Sequence, residues 1–281
     1  MSQNEDSKTE ESRQPETSGK FIPGEEEWIR SHYYDVPQQT VEFCGDIAGK
    51  CVLNLGCGEM LTDVGLLNKG VKRIVGLDLH EKPAQYLEDV VEKLRRHGIA
   101  PPDDYGSRIA YRWYGGTAFP FDDGEFDLVF SWSAFEHVHD VPAVLSEIRR
   151  VLSADGCAFV QVYPWYHSFA GSHLSDFIRE PYFHLTRQSD WVRGQLEQYL
   201  AEHPADRDFV LDEMYQAYLS LNRYSANRFY RDVVAAGFRV VKARLITYDL
   251  DLSEAPPNAD FSDLMICGTM MLARKTSTPS V

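Results

Sequence analysis

Residues 51–60, "CVLNLGCGEM", decide how this chain is read. Val52, Leu53 and Leu55 form a short apolar run suited to a strand buried on both faces, and it leads straight into Gly56 and Gly58. Glycines in that place let the backbone turn sharply and approach a ligand, and the next helix offers its unpaired N–H groups to anionic parts. This is how a nucleotide-type loop begins. The usual forms of that loop carry a third glycine, and here Met60 and Leu61 stand where it would fall.

Working outward, strand 50–55 precedes a helix expected over 61–69, and the strand "RIVGLDL" (73–79) precedes a helix over 83–97. In that helix Leu87, Val90, Val91 and Leu94 recur at helical spacing, with Pro83 near its start and Gly98 after its end. "RIAYRWY" (108–114), "FDLVFSW" (126–132) and "CAFVQVY" (157–163) read as the third, fourth and fifth strands. Asp140 is placed to cap a helix carrying Val144, Leu145, Ile148 and Val151. Residues 24–47, with Trp28, Tyr33, Tyr34 and Phe43, read as a helical segment packed on this unit. Strands alternating with helices predict a doubly wound, Rossmann-like, mostly parallel sheet.

The rhythm breaks after residue 163. Residues 164–223 carry two amphipathic stripes, Val192/Leu196/Tyr199/Leu200 and Val210/Met214/Ala217/Tyr218/Leu221, with no strand pattern between them. Ser225 then caps a helix running to Gly237, and strands follow over 239–247 and 264–273 after a loop with Pro256 and Pro257. The expected architecture is a seven-stranded α/β sheet with a helical insertion after the fifth strand, where a lid and an acceptor pocket would lie.

Composition narrows the function. The 281 residues hold 43 acids against 28 bases, for a net charge of −15, and no basic run is longer than Arg95-Arg96. Nucleic-acid binding relies on Lys and Arg against phosphate, so such a partner is not expected. The five cysteines are odd in number and show no zinc spacing, which fits a reducing compartment. The polar residues 1–20 lack an apolar signal core and read as a disordered leader to a domain over 21–281. No apolar run approaches membrane-spanning length. A cytoplasmic protein is expected, with its oligomeric state left open.

Asp78 ends the second strand, twenty residues beyond Gly58, where a carboxylate can accept both hydrogen bonds of a ribose diol. The glycine loop and Asp78 alone serve a nicotinamide dinucleotide and S-adenosylmethionine equally. The wider sequence separates them. Pro120-Phe121, Asp122-Asp123-Gly124, "FDLV" (126–129), "EHV" (136–138) and "RVL" (150–152) follow one another in an order that resembles the class I S-adenosylmethionine-dependent methyltransferases. The resemblance covers roughly residues 45–163, more loosely the closing strands, and implies an antiparallel last strand.

It further implies that the methionine end of S-adenosyl-L-methionine lies over Gly56, Cys57 and Gly58, the ribose on Asp78 and the adenine beside Leu79. Asn54, Thr117, Ala118 and Ser131 are implied as further cofactor positions. Two acids usual in the family are missing. Asn54 stands where one would be, and none occurs over Gly115 to Thr117.

Methyl transfer is an in-line displacement, and a hydroxyl acceptor also needs a general base. "SWSA" (131–134) does not match the "NPPY" of amino-group methylation. His167, His173 and His184 crowd the start of the insertion beside Tyr163, Trp165 and Tyr166. His167 is therefore the first candidate base, then His173, then His137. "HVHD" (137–140) invites a metal reading, but His137 belongs to "EHV" and Asp140 to a helix cap, so no metal is expected. The expected activity is O-methylation of a hydroxyl on a sugar or small metabolite. The alternatives are a non-catalytic methyltransferase-like binding protein and a nicotinamide-dependent oxidoreductase.

Overall fold

The computed structural model describes residues 24–276; the leader expected over 1–20 lies outside them. α1 (Glu25–Arg30), a π-helical turn (Ser31–Asp35) and α2 (Val36–Cys44) follow one another without a break. Ile29, Tyr33, Val36 and Phe43 are buried, whereas Trp28 and Tyr34 are exposed. Helical spacing explains the division: positions 29, 33 and 36 share one face, so neighbours on either side of it turn outward.

β1 (Cys51–Leu55), α3 (Leu61–Leu67), β2 (Arg73–Asp78), α4 (Tyr86–Arg96), the single turn α5 (Tyr105–Arg108) and β3 (Ile109–Trp113) make the first half of the sheet. β4 (Phe126–Trp132), α6 (Val141–Val151) and β5 (Leu152–Val162) continue it, and the Asp140 side chain caps α6 by accepting from Ala143 N–H. β5 starts five residues before the expected position 157, at Leu152, which pairs with Phe126 before the register shifts.

The insertion holds α7 (Phe183–Thr186), α8 (Ser189–Glu202), a π-helical turn (Phe209–Met214) and α9 (Tyr215–Ser220). α10 (Ala226–Ala235), capped by Ser225, leads into β6 (Phe238–Ile246). α11 (Phe261–Met265) and β7 (Gly268–Lys275) close the chain. The expected last strand over 264–273 is therefore corrected at its start. Asp260 accepts from the N–H groups of Ser262 and Asp263, which starts a helical turn where apolarity alone suggested a strand.

The strands lie in the order β3-β2-β1-β4-β5-β7-β6. β7 runs antiparallel to both neighbours, and the other pairings are parallel. Strand alternation gives the sheet two cores. Leu53, Leu55, Val75 and Leu77 face α6 and α10, while Val52, Ile74, Leu128 and Phe130 face α1, α2 and α3. The insertion has its own third core, built from Leu174, Ile178, Val192, Leu196, Val210 and Tyr218 among others. No helix of the described residues is long and apolar enough to cross a membrane.

Candidate functional site

The glycine loop sits where the strand order reverses, between β1 and β4, outside the carboxyl ends of the strands. Gly56 has φ +73° and donates its N–H to Leu77 O at 2.8 Å. A Cβ there would lie 2.3 Å from Cβ of Ala134, so this glycine lets the loop close on the turn after β4. Gly58, at φ +48°, has open space where its Cβ would be, and its N–H donates to Asp78 Oδ2 at 2.9 Å. Asp78 Oδ1 accepts from His80 N–H at 3.2 Å. The exposed His80 ring also meets Oδ1, at 3.1 Å, and Cys57 Sγ lies 4.0 Å from Oδ2, so a ligand that displaces these contacts gains acceptor positions on Asp78.

Met60 explains the missing third glycine. It occupies the left-handed region, at φ 62° and ψ 11°, as the residue before α3. That conformation costs an L-residue about 1–2 kcal/mol. The side chain is 1% exposed, packed in the core beneath the loop, and its burial offsets this strain.

Asn54 does not reach the loop surface. Alternation puts it on the same face as Val52, next to Gly76 on β2, and its amide donates to Asp63 Oδ2 on α3 at 2.7 Å. Asp63 is fully buried, and its Oδ1 has no hydrogen-bond partner. Burial pushes its pKa up to about 7, against the Asn54 hydrogen bond, which lowers it. Gly76 makes the room: a Cβ on it would sit 2.8 Å from Cys57 Sγ and 3.3 Å from Asp63 Oδ1. Sequence reading missed Asp63, although an acid inside the apolar helix "LTDVGLL" (61–67) was a signal for it.

Among the other positions implied by resemblance, Cys57 is buried under the loop and burial raises its thiol pKa well above the usual value. Ser131 is buried and donates to Leu55 O at 2.9 Å, which ties β4 to the end of β1. Leu79 is 47% exposed and lies against Gly116, offering an apolar surface beyond Asp78. Thr117 and Ala118 are exposed. Gly58, Asp78 and Leu79 thus form a continuous rim that can take a ribose and a flat base.

A second group stands beyond Ala134. Glu136 and His137 occupy the 3-10 turn Phe135–His137 after β4, and His173 reaches them from the insertion. Glu136 Oε1 lies 4.0 Å from His173 Nε2, and the two imidazole rings are 5.7 Å apart. His137 Nδ1 bonds Ser220 Oγ at 2.8 Å. Asn222 holds the same turn, donating its side chain to Phe135 O at 2.6 Å and Val138 O at 2.8 Å, and its N–H to Glu136 O at 2.9 Å. Burial raises the Glu136 carboxyl to about 8 and lowers His173 to about 4, with His137 adding to the latter effect.

His167 is placed differently. Its ring lies 5.7 Å from that of Tyr166, whose hydroxyl donates to His184 O at 2.8 Å, and its Nδ1 is buried without a partner. A cavity of about 420 Å³ in the insertion is lined by Tyr166, His184, Tyr218 and Arg223 among others. The structure therefore gathers His137 and His173, and keeps His167 with the insertion's aromatic residues.

A doubly wound sheet with an antiparallel seventh strand, and a glycine loop facing an acid on β2, defines a class of proteins that bind nucleoside-containing cofactors. Residues 53–160 match the model of a family described as a methyltransferase domain. A probable S-adenosylmethionine-dependent methyltransferase of Mycolicibacterium smegmatis is 29% identical over 150 residues, 52% of this chain and 50% of that protein. A ubiquinone biosynthesis O-methyltransferase of Dechloromonas aromatica is 31% identical over 115 residues, 41% and 44% of the two chains. The chain thus spans half or less of the length of these relatives. A crystal structure of an S-adenosylmethionine-dependent methyltransferase from Mesorhizobium loti superposes with a TM-score of 0.53 at 16% identity, covering 90% of this chain and 99% of that one. Residues 53–160 are therefore similar to a methyltransferase domain, and the relatives that share part of this chain include a probable S-adenosylmethionine-dependent methyltransferase.

Proposed function

We propose that this chain transfers a methyl group from S-adenosyl-L-methionine to a hydroxyl oxygen of a small-molecule or glycosyl acceptor. The observation that carries the reading is the Gly58–Asp78 pair at adjoining strand ends, with open space above Gly58 and the exposed Leu79 beside it. When bound, the sulfonium cofactor supplies an electrophilic methyl group. The protein's task is then to hold two reactants in line, which is worth several kcal/mol of barrier without any covalent step.

Asp78 accepts from the ribose hydroxyls, and Leu79 covers one face of the adenine. Gly56, Cys57 and Gly58 carry the methionine end past the turn at Ala134. The insertion, residues 164–223, covers the acceptor and excludes water. Its separate core and its Ser220 and Asn222 clasp on the β4 turn support that role. His167 receives the proton of the acceptor hydroxyl, with His173 and His137 next in order. Five free thiols support a reducing compartment such as the cytoplasm. Calorimetric titration with S-adenosylmethionine, followed by mass spectrometry of hydroxylated acceptors incubated with labelled donor, tests the reading. Absence of donor binding would overturn it.

A further inference from the structure

The turn after β4 gathers more metal-binding chemistry than methyl transfer requires. Glu136, His137 and His173 each offer one ligand atom, and these atoms all lie within 4.8 Å of one another. Glu136 is 3% exposed, and its Oε2 is buried with no hydrogen-bond partner. His173 Nδ1 is buried without a partner as well, in a residue held in the left-handed region at φ +61°. A buried carboxylate and imidazole left this way cost free energy unless a cation or a proton satisfies them.

We propose that Glu136, His137 and His173 form a binding site for a divalent metal ion of the zinc class. Two neutral imidazoles and one carboxylate are a donor set that suits such borderline ions, and three protein ligands leave a coordination position open. The support around the ligands is of the expected kind. His137 Nδ1 bonds Ser220 Oγ, which fixes that ring and leaves Nε2 for the ion. Asn222 fixes the turn that carries Glu136 and His137.

Ligands of one tetrahedral zinc ion lie about 3.4 Å apart, so the separations, at most 4.8 Å, contract by up to about 1.4 Å when it binds. The ion would join the insertion, through His173, to the end of β4, through Glu136 and His137. The set is not the run 137–140 suggested by sequence, because His139 is exposed and Asp140 is occupied in capping α6. With His137 and His173 as ligands, His167 remains as the base.

The inference does not depend on methyl transfer, and donor affinity measured on the same protein separates the two readings. Tag-free, chelator-treated protein is titrated with Zn²⁺ by calorimetry, and with Co²⁺ by visible absorption. One equivalent is expected, with a nitrogen and oxygen ligand-field spectrum and no thiolate charge-transfer band. His173→Ala and Glu136→Gln should each weaken Zn²⁺ binding by at least tenfold, and Ser220→Ala by about 10–100-fold as a supporting residue. Wild-type protein that takes up neither ion would overturn the proposal, as would a thiolate spectrum, or binding unchanged in both ligand variants.

Discussion

The Asn54 amide donates to the Asp63 carboxylate across 2.7 Å, so the acid at this level of the fold stands on α3 instead of β1. The two residues face each other because strand alternation turns Asn54 away from the ligand side, and Gly76 leaves space for the carboxylate. Asp63 holds its proton to about pH 7 in the folded chain, against 3.8 for an ordinary aspartate. Between these values the folded state binds more protons than the unfolded state. Stability therefore falls as pH rises through this window, and levels off above it.

Asp63→Asn removes that dependence while keeping an acceptor for Asn54. The variant should gain on the wild type as pH rises from 4 to 7, by up to about 1.4 kcal/mol per pH unit. Urea unfolding midpoints at pH 4.5 and 7.5 measure this. An equal difference between the two proteins at both pH values would show that Asp63 does not titrate in that window.

Asp78→Ala removes the anchor of Gly58 N–H and, on the proposed function, the charge-assisted hydrogen bonds to the ribose. Each such bond contributes about 1.5–3 kcal/mol, so affinity for S-adenosylmethionine should fall by roughly tenfold or more. Calorimetry on a variant of native secondary structure decides the point, and unchanged affinity would remove the ribose assignment.

Met60 separates backbone strain from burial. Met60→Ala keeps the left-handed strain and loses the packing, which costs about 2–5 kcal/mol for a buried methionine. Met60→Gly loses the same packing and relieves about 1–2 kcal/mol of strain. Glycine should therefore be the more stable replacement. Thermal melts giving the opposite order would contradict the left-handed assignment.

His167→Ala should lower turnover by about 10²–10⁴-fold if His167 is the general base. Affinity for the methyl donor should stay close to that of the wild type, since the imidazole meets the acceptor. Turnover near normal with a hydroxyl acceptor would move the base elsewhere.

Asn222→Ala removes two of its three contacts with the β4 turn and leaves only the backbone N–H bond to Glu136 O. It leaves Phe135 O and Val138 O without that donor, a loss of about 1–3 kcal/mol for each group left unsatisfied. Turnover should fall while donor affinity holds, because Asp78 and Gly58 lie on other elements. Unfolding curves and donor titration on the same preparation separate lost stability from a displaced turn.

The order and kind of elements were legible from residue 50 to 163 because hydrophobic periodicity is local. A strand buried on both faces needs a run such as Val52 to Leu55, and a helix such as α6 needs apolar residues at every third or fourth place. The glycine loop and Asp78 were legible for the same reason, since a sharp turn and a terminal carboxylate are written in neighbouring residues. Asp63 and the Glu136–His137–His173 cluster were not. Their partners lie 9 residues away on another element, or on an insertion whose path no periodicity sets. Which histidine meets which carboxylate follows from how the insertion packs on the β4 turn, through contacts such as those of Asn222 with Phe135 O and Val138 O. Local patterns along the chain determined the sheet and its ligand-binding end. Long-range packing alone decided which buried polar groups share a site, because their pairing depends on distances that close only when the elements come together.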